Sequence, residues 1–365
     1  MNTQEEQKAA RVMHEDYNNT VGGWVNESIE TTLPELLKCV NKMYEKNPER
    51  FLDTNNPLSV ADFGCATGAS SIKPLRTVID RVKEINPAMQ VQVYLNDLPE
   101  NRFDLAFQSV QAGLKDYDNV FIMAAGKDFS TQVFPNKFLD ISFSSLTAMI
   151  MPTAFAPLED NLFFLANPEN IDTEAGKKWV EGFNKHWKNF MNARQAELKK
   201  DGLLFVTLII NQDPNRSYQT KENEFFHEIA TLVVKDVLKK HNLEDKIAGC
   251  MKTTISLYKQ HYIDVCNSFD TVEVISSNDF DVKDIFYHEY VETQDREVFG
   301  KKVSSYIQGW WGDVLEGGLA QQGVEQDTIK QVSKEVFERL PAFISERTER
   351  YPEYYNVLAL AVQKL

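Results

Sequence analysis

The stretch Ser59–Ser70, SVADFGCATGAS, decides the fold of this 365-residue chain. Its first half, SVADFG, is apolar enough for a buried strand, and Gly64 and Gly68 mark a tight turn after it. The next segment, ASSIKPLRTVIDRVKEIN, has helical spacing and places these apolar residues on one face: Ile72, Leu75, Val78, Ile79 and Val82. We therefore predict a strand, a glycine turn and a helix, and the question is which ligand the turn holds.

Alternating strand and helix patterns extend this unit into an α/β fold. Further strands are predicted at Val91–Asp97, Asn119–Gly126, Phe138–Ser145 and Leu203–Ile210, with a long helix over 172–200 before the last of them. Such alternation predicts a parallel sheet with helices on both faces and a ligand site beyond the carboxyl ends of the strands. Residues 222–250, 298–317 and 326–348 are predicted to be helical and to form a lid. The segments 281–291, DVKDIFYHEYV, and 355–365, YNVLALAVQKL, are predicted to be the final strands.

Charge and cysteine usage restrict the function classes. With 54 acidic against 39 basic residues, the formal net charge is -15, which makes nucleic acid an unfavourable partner. The 4 cysteines are scattered without a C-x-x-C pair, and the 6 histidines lack metal-ligand spacing, so neither a disulfide framework nor a metal site is expected. The polar N-terminus and the lack of a long apolar run lead us to expect a cytoplasmic protein without membrane contact.

The glycine turn differs from the common phosphate-binding loops. It has the form D-x-G-x-x-x-G, with Asp62 before Gly64 and Gly68, whereas a dinucleotide fingerprint has glycine at the first position, where this chain has Asp62. A Walker loop is also absent. A carboxylate at the start of the turn repels phosphate but suits the amino group of a methionine moiety, as in S-adenosylmethionine.

A second carboxylate supports the same cofactor. Asp97 ends the second predicted strand, 33 positions after Gly64 (97 − 64), where an acidic side chain can accept both hydroxyls of a ribose. The two acids and the missing phosphate cradle favour S-adenosylmethionine over NAD. A simple strand-to-helix turn without a ligand is the alternative.

Several motifs together resemble the SABATH methyltransferases. They occur in that family's order along the chain: VADFGCATGASS, VYLNDLPENRFD, AGKDFSTQVFP, FSSLTAMIMP and WKNFMNARQAELKKDGLLFVTL. That family is known for plant enzymes that methylate salicylate, benzoate, jasmonate and gibberellin carboxylates and nitrogens of the caffeine pathway. The resemblance implies a class I, Rossmann-like methyltransferase sheet with a helical cap.

The resemblance also implies a domain organisation. An N-terminal segment (1–50) would close over the cofactor, and the S-adenosylmethionine-binding core would span 51–212. The cap would comprise 213–268 and 298–350, separated by a core strand region (269–297) and followed by the C-terminal core strand (351–365).

The resemblance assigns cofactor contacts to individual positions. Cys65 and Ser70 match contacts in the turn, in addition to Asp62, Gly64 and Gly68 from the motif itself. Asp97 and Leu98 match the pair that holds ribose and adenine. At the adenine end, Asp128 and Phe129 match a Ser-Phe pair, with aspartate replacing serine. In MHEDYNNTVGGW, Tyr17 resembles a tyrosine that closes over the cofactor.

The predicted acceptor site departs from the family pattern. Carboxyl-methylating members carry a tyrosine and then a His-Trp pair where this chain has Phe143, Leu146 and Thr147. The family's glutamine falls near Trp24–Asn26, where no glutamine is present. We expect Trp24, Phe143, Leu146 and Thr147 to contact the acceptor, and salicylate and benzoate to be poor substrates.

The resemblance implies carboxyl methylation of a small-molecule acid by direct in-line transfer. A carboxylate with a pKa near 4 is already ionised at neutral pH, so no general base and no catalytic side chain is expected. Methylation of a nitrogen or a hydroxyl, and cofactor binding without transfer, are the alternatives. Association into a homodimer is left open.

Overall fold

The structure, a computed structural model, describes residues 22–151, 155–157, 160–166, 170–211, 217–250 and 254–365. The described strands are β1 (Leu58–Phe63), β2 (Val91–Asp97), β3 (Val120–Gly126), β4 (Leu139–Ser145), β5 (Phe164–Leu165), β6 (Leu198–Ile209), β7 (Ile255–Ser256), β8 (Val272–Lys283) and β9 (Tyr354–Lys364). The described α-helices are α1 (Gly22–Lys46), α2 (Pro48–Leu52), α3 (Ile72–Ile85), α4 (Phe103–Gly113), α5 (Glu174–Glu197), α6 (Ser217–Glu228), α7 (Lys235–Lys240), α8 (Lys259–Asn267), α9 (Ile285–Thr293), α10 (Arg296–Gln321) and α11 (Gln326–Ser345).

The opening strand–turn–helix prediction is confirmed. Every residue of β1 is buried, as expected of a central strand covered on both faces. Helix α3 buries Leu75, Val78, Ile79 and Val82 on one face, because residues three and four apart share a side of a helix.

Two predicted segments differ from the structure. The segment 222–250 is not one helix: α6 passes into a π-helical turn over Ile229–Val234, then α7 and a 3-10 helix over Glu244–Cys250. The segment 281–291 is a strand only to Lys283. The Asp284 carboxylate accepts a hydrogen bond from the Tyr287 backbone N–H at 2.8 Å and starts α9, so this N-cap overrides the β-prone residues that follow.

Seven strands form one mixed sheet in the order β3-β2-β1-β4-β6-β9-β8. The first five of these strands are parallel, while β9 is antiparallel to both β6 and β8. Strand order reverses at β1, which lies between β2 and β4. A crevice opens at such a switch point beyond the strand ends, because the connections leave in opposite directions.

Three apolar cores hold the chain together. One lies between the sheet and α3, α4 and part of α1, and a second lies on the opposite face with α5. The third belongs to the cap, where α6, α7, α10 and α11 pack around the fully buried Trp311. Helix α8, which the prediction placed in the cap, instead packs Tyr262 and Cys266 into the core beside α5.

Candidate functional site

A cleft lies at the switch point, at the carboxyl ends of β1, β2 and β4. The space inside it, counting the solvent at its open mouth, is about 640 Å³. Its described lining comprises Val25, Gly64, Ala66, Ser70, Asp97, Leu98, Phe129, Ser145, Leu146, Thr147 and Ile150.

The two glycines shape the floor of the cleft for different reasons. Gly64 has a φ of +84°, and a Cβ built there would lie 2.6 Å from the Thr147 side chain. Gly68 has a φ of +80°, and a Cβ there would lie 2.9 Å from the Ala106 carbonyl oxygen of α4. Gly64 therefore permits the close approach of the β4 loop, and Gly68 permits the packing of α4 against the turn.

Asp97 connects the tip of β2 to the glycine turn. One carboxylate oxygen accepts a hydrogen bond from the Ala66 N–H at 2.7 Å, and the other accepts one from the Leu98 N–H at 2.8 Å. Below it, the buried Asn96 side chain donates to the Ala125 and Lys127 carbonyls at 2.7 and 2.8 Å, which ties β2 to the end of β3. These bonds hold the Asp97 carboxylate at the cleft surface.

Asp62 lies beneath the turn and outside the described lining, with only 4% of its surface exposed. The pKa of its carboxyl is raised to about 7, mainly by burial, with a smaller lowering by the Ser71 hydroxyl and a smaller raising by the nearby charge of Asp97. Because the folded-state pKa exceeds the usual 3.8, the buried charge destabilises the protein above about pH 7 and this cost disappears as the pH falls toward 4.

We therefore expect Asp62→Asn to stabilise the ligand-free protein at pH 8 by about 1–3 kcal/mol. The advantage should shrink as the pH is lowered to 5, because the wild-type carboxyl is then protonated. The sequence-based prediction that the Asp62 charge complements the ammonium of S-adenosylmethionine further leads us to expect weaker binding of that cofactor by the same variant at pH 8. Denaturant unfolding and calorimetry at both pH values test this, and a loss of stability that is equal at both would contradict it.

A buried ion pair positions Phe129 at the wall of the cleft. Arg194 and Glu197 of α5 are both fully buried, with Arg194 Nε 2.8 Å from a Glu197 carboxylate oxygen. The guanidinium donates to the Phe129 carbonyl at 2.8 Å, while Glu197 accepts from the Phe134 N–H at 3.0 Å. The Phe129 ring packs edge-on against Phe190. Next to Phe129, the Asp128 carboxylate accepts from the Ser130 N–H at 2.8 Å.

The loop after β4 forms the opposite wall. Leu146 has a φ of +59°, an unusual conformation for a leucine, and donates its N–H to the Thr207 carbonyl at 2.9 Å. The Thr147 hydroxyl lies 3.0 Å from the Ser145 carbonyl and 3.3 Å from the Phe63 carbonyl. Both residues line the cleft, but the hydroxyl of Thr147 is turned toward the backbone.

The structure places several predicted site residues elsewhere. Phe143, two residues before Ser145 on the same face of β4, is buried in the core under the sheet and does not reach the cleft. Trp24 stacks on Tyr355 with ring centroids 4.1 Å apart, and its neighbour Val25 lines the cleft instead. Cys65 is a buried core residue, and burial raises the pKa of its thiol. Tyr17 lies outside the described residues.

Some lining residues were not predicted from the sequence. Ala66 and Ser145 lie inside the quoted motifs. Ala66 lies between the two glycines of the turn and Ser145 ends a predicted strand, so both could have been identified as lining residues from the sequence. Ile150 also lies in a quoted motif and Val25 in the range Trp24–Asn26, but nothing in the sequence distinguished these two apolar residues from their neighbours. The Arg194–Glu197 pair has the i, i+3 spacing of a helical ion pair, but the sequence does not show that it is buried.

Strand β9 lies between β6 and β8 and is antiparallel to both. This arrangement distinguishes the sheet from an all-parallel dinucleotide-binding sheet. With an acidic residue at the tip of β2 and a turn without a phosphate cradle, it defines a class I methyltransferase. A solved structure, "Loganic acid methyltransferase with SAH", has the same fold, with a TM-score of 0.77 at 12% identity over 98% of this chain and 99% of that one.

The family follows from the sequence match. The model of the family described as SAM dependent carboxyl methyltransferase matches residues 23–363, so the chain belongs to this family. The predicted SABATH resemblance is confirmed, and so is S-adenosylmethionine as the cofactor on which the family depends.

Curated relatives are distant and match in part. One is the S-adenosyl-L-methionine:benzoic acid/salicylic acid carboxyl methyltransferase 3 of Petunia hybrida, 24% identical over 204 residues, which are 52% of this chain and 56% of that protein. Another is the loganic acid O-methyltransferase of Catharanthus roseus, 21% identical over 189 residues, 49% of this chain and 50% of that protein. The chain thus spans about half the length of these relatives.

In the part of the chain that the structure describes, no helix is long and apolar enough to cross a membrane. The cytoplasmic location stays a prediction.

Proposed function

We propose that the protein transfers the methyl group of S-adenosylmethionine to the carboxylate of a small-molecule acid. One observation carries this proposal. Asp97 is the only ionisable side chain among the described residues that line the cleft, and backbone N–H groups already bind both of its oxygens. The described lining therefore offers no general base, which suits an acceptor that arrives ionised.

The residues of the cleft fit the proposed cofactor. Asp97 at the tip of β2 would accept the ribose hydroxyls, and Leu98 and Phe129 would contact the adenine. Gly64 and Ala66 leave the backbone of the turn open to the methionine moiety, because neither has a side chain beyond Cβ. Bound there, S-adenosylmethionine supplies an electrophilic methyl group on a positively charged sulfur.

The methyl transfer requires no proton to be added or removed. A lone pair of the acceptor carboxylate forms the new O–CH₃ bond while the C–S bond breaks and its electrons stay on sulfur. The anion and the sulfonium become a neutral ester and a neutral thioether. The chain aligns the reactants and excludes water, an effect that can contribute roughly 7–11 kcal/mol.

This mechanism predicts a flat pH profile. With saturating S-adenosylmethionine and the best acceptor from a pooled acid library, kcat should vary less than about twofold from pH 6 to 8, because the nucleophile is ionised throughout. The measurement uses methyl-labelled cofactor. Base-labile label identifies an ester, whereas base-stable label with a rate that rises steeply with pH would indicate an amine or hydroxyl acceptor. Cofactor binding without any transfer would indicate a binding protein.

Aromatic acids are expected to be poor acceptors. The Leu146 side chain cannot donate a hydrogen bond, and the Thr147 hydroxyl faces the carbonyls of Phe63 and Ser145. A benzoate carboxylate would thus find no donor in these two side chains, which costs about 1–3 kcal/mol for each unmet group. We expect kcat/KM for benzoate and salicylate at least tenfold below that of the best aliphatic acid. Salicylate turnover that equals the best of the panel would contradict this.

A further inference from the structure

Three buried polar side chains beside the cleft have oxygens without a hydrogen-bond partner among the described residues. They are the Thr254 hydroxyl, the Ser256 hydroxyl and the Asn211 amide oxygen, on side chains that belong to residues 7%, 1% and 5% exposed. Buried polar atoms in folded proteins are almost always paired. Three such oxygens close together therefore need an explanation.

The pairing of strands places two of them on the same face as a residue that lines the cleft. Thr254 forms an antiparallel bridge with Ile150, and Ile150 lines the cleft. Residues directly opposite each other on antiparallel strands project from the same face, and so do residues two apart on one strand. Thr254 and Ser256 thus share the face of Ile150.

The core confirms this orientation. Ile255 and Leu257, which alternate with Thr254 and Ser256, are buried in the apolar core beside α5. Met149 and Met151, on either side of Ile150, belong to the same core. The apolar side chains face inward, and the hydroxyls face the other way.

Asn211 comes from the end of β6 and joins the same group. Its backbone N–H donates to the Leu257 carbonyl at 3.1 Å, and its side-chain NH₂ donates to the Ala166 carbonyl. Ala166 in turn donates its N–H to the Ser256 carbonyl at 2.9 Å. Since the NH₂ group is engaged, the atom of Asn211 that has no partner is the acceptor oxygen.

We propose that Thr254, Ser256 and Asn211 form the acceptor-binding subsite, in which the two hydroxyls donate to the substrate carboxylate and Asn211 accepts from a second group of the substrate. This inference rests on the proposed carboxyl transfer and names its substrate class: a non-aromatic acid that carries a separate hydrogen-bond donor such as a hydroxyl. In salicylate the hydroxyl is adjacent to the carboxylate and bonds to it internally, so it cannot serve both positions.

The test uses purified full-length protein, labelled S-adenosylmethionine and pairs of aliphatic acids of about four to ten carbons, each with and without one hydroxyl. The best acceptor should be a hydroxy acid with kcat/KM at least tenfold above its unsubstituted partner. Thr254→Val and Ser256→Ala should each raise the KM for that acid about tenfold or more. Binding of S-adenosylhomocysteine should stay unchanged.

A second readout separates a ligand-binding hydroxyl from a structural one. Because an unpartnered buried hydroxyl is unfavourable, Thr254→Val should raise the Tm of the ligand-free protein by about 1–3 °C. The matched control is Ser333→Ala in the cap, a buried serine whose hydroxyl lies 2.6 Å from a Glu316 carboxylate oxygen. That change should lower the Tm and leave the KM unaltered.

The outcomes distinguish a failure of the proposed subsite from a failure of the proposed function. Methylation of acids with unchanged KM in Thr254→Val and Ser256→Ala would overturn the subsite and leave the carboxyl transfer standing. Equal turnover of each acid and its hydroxy partner would overturn the role of Asn211. Failure to methylate any acid, with cofactor binding intact, would overturn the proposed function and the subsite with it.

Discussion

Asp97→Ala should weaken the binding of S-adenosylhomocysteine by about 100-fold or more. Its carboxylate is held at the cleft surface by the N–H groups of Ala66 and Leu98, which pre-orients it for a ribose diol. Two charge-assisted hydrogen bonds, each of about 1.5–3 kcal/mol, would be lost. A difference of 1.4 kcal/mol corresponds to a factor of about ten in affinity, so the expected effect is well within the reach of calorimetry.

Two comparisons make this result specific. Asp116→Ala removes an exposed aspartate whose only described ion-pair partner is Arg76, 3.6 Å away, and should bind the cofactor product like the wild type. Asp97→Asn keeps the size of the side chain but places an NH₂ group against one of the two backbone donors, so it should also bind poorly. If Asp97→Ala binds normally while folded, the assignment of the β2 tip to the ribose is wrong.

Gly64→Ala should destabilise the protein by about 2–5 kcal/mol. A left-handed conformation costs an L-residue about 1–2 kcal/mol, and forcing a methyl group into a packed site costs about 1–3 kcal/mol more. Here the added Cβ would lie 2.6 Å from the Cγ2 and Oγ1 atoms of Thr147. Relief of this overlap would displace the loop that carries Leu146 and Thr147, so methyl transfer should fall along with the free energy of unfolding.

Gly323→Ala is the matched control for this prediction. Gly323 has a similar φ of +78°, but no atom lies within 4 Å of the Cβ that alanine would add. The control should therefore show the backbone cost alone, about 1–2 kcal/mol, with activity retained. Denaturant unfolding of both variants measures the difference, and equal losses would show that the contact between Gly64 and Thr147 is unimportant.

Local sequence patterns were sufficient for the five parallel strands of the sheet and for one side of the site, whereas the predicted strand 281–291 overlaps β8 (Val272–Lys283) only at its end. The strand at Ser59, the glycine turn and the amphipathic helix are encoded by neighbouring residues, because side-chain periodicity and backbone conformation are local properties. Asp97 could be placed at the cleft for the same reason: the tips of adjacent parallel strands meet at one edge. The segment after Asp284 shows where local patterns fail. Its residues predict a strand, but the hydrogen bond that the Asp284 side chain accepts starts helix α9 there.

Only the tertiary structure decided which residues form the proposed acceptor side. Phe143 and Ser145 share a face of β4, yet the first is in the core and the second in the cleft, because burial depends on what the other elements cover. Trp24 was predicted to contact the acceptor but stacks on Tyr355, and its neighbour Val25, for which no role was predicted, lines the cleft. Asn211, Thr254 and Ser256 are ordinary polar residues in the sequence. They become candidates only when folding buries their side-chain oxygens without a hydrogen-bond partner among the described residues, since an unmade hydrogen bond is a property of the packed molecule and not of the chain.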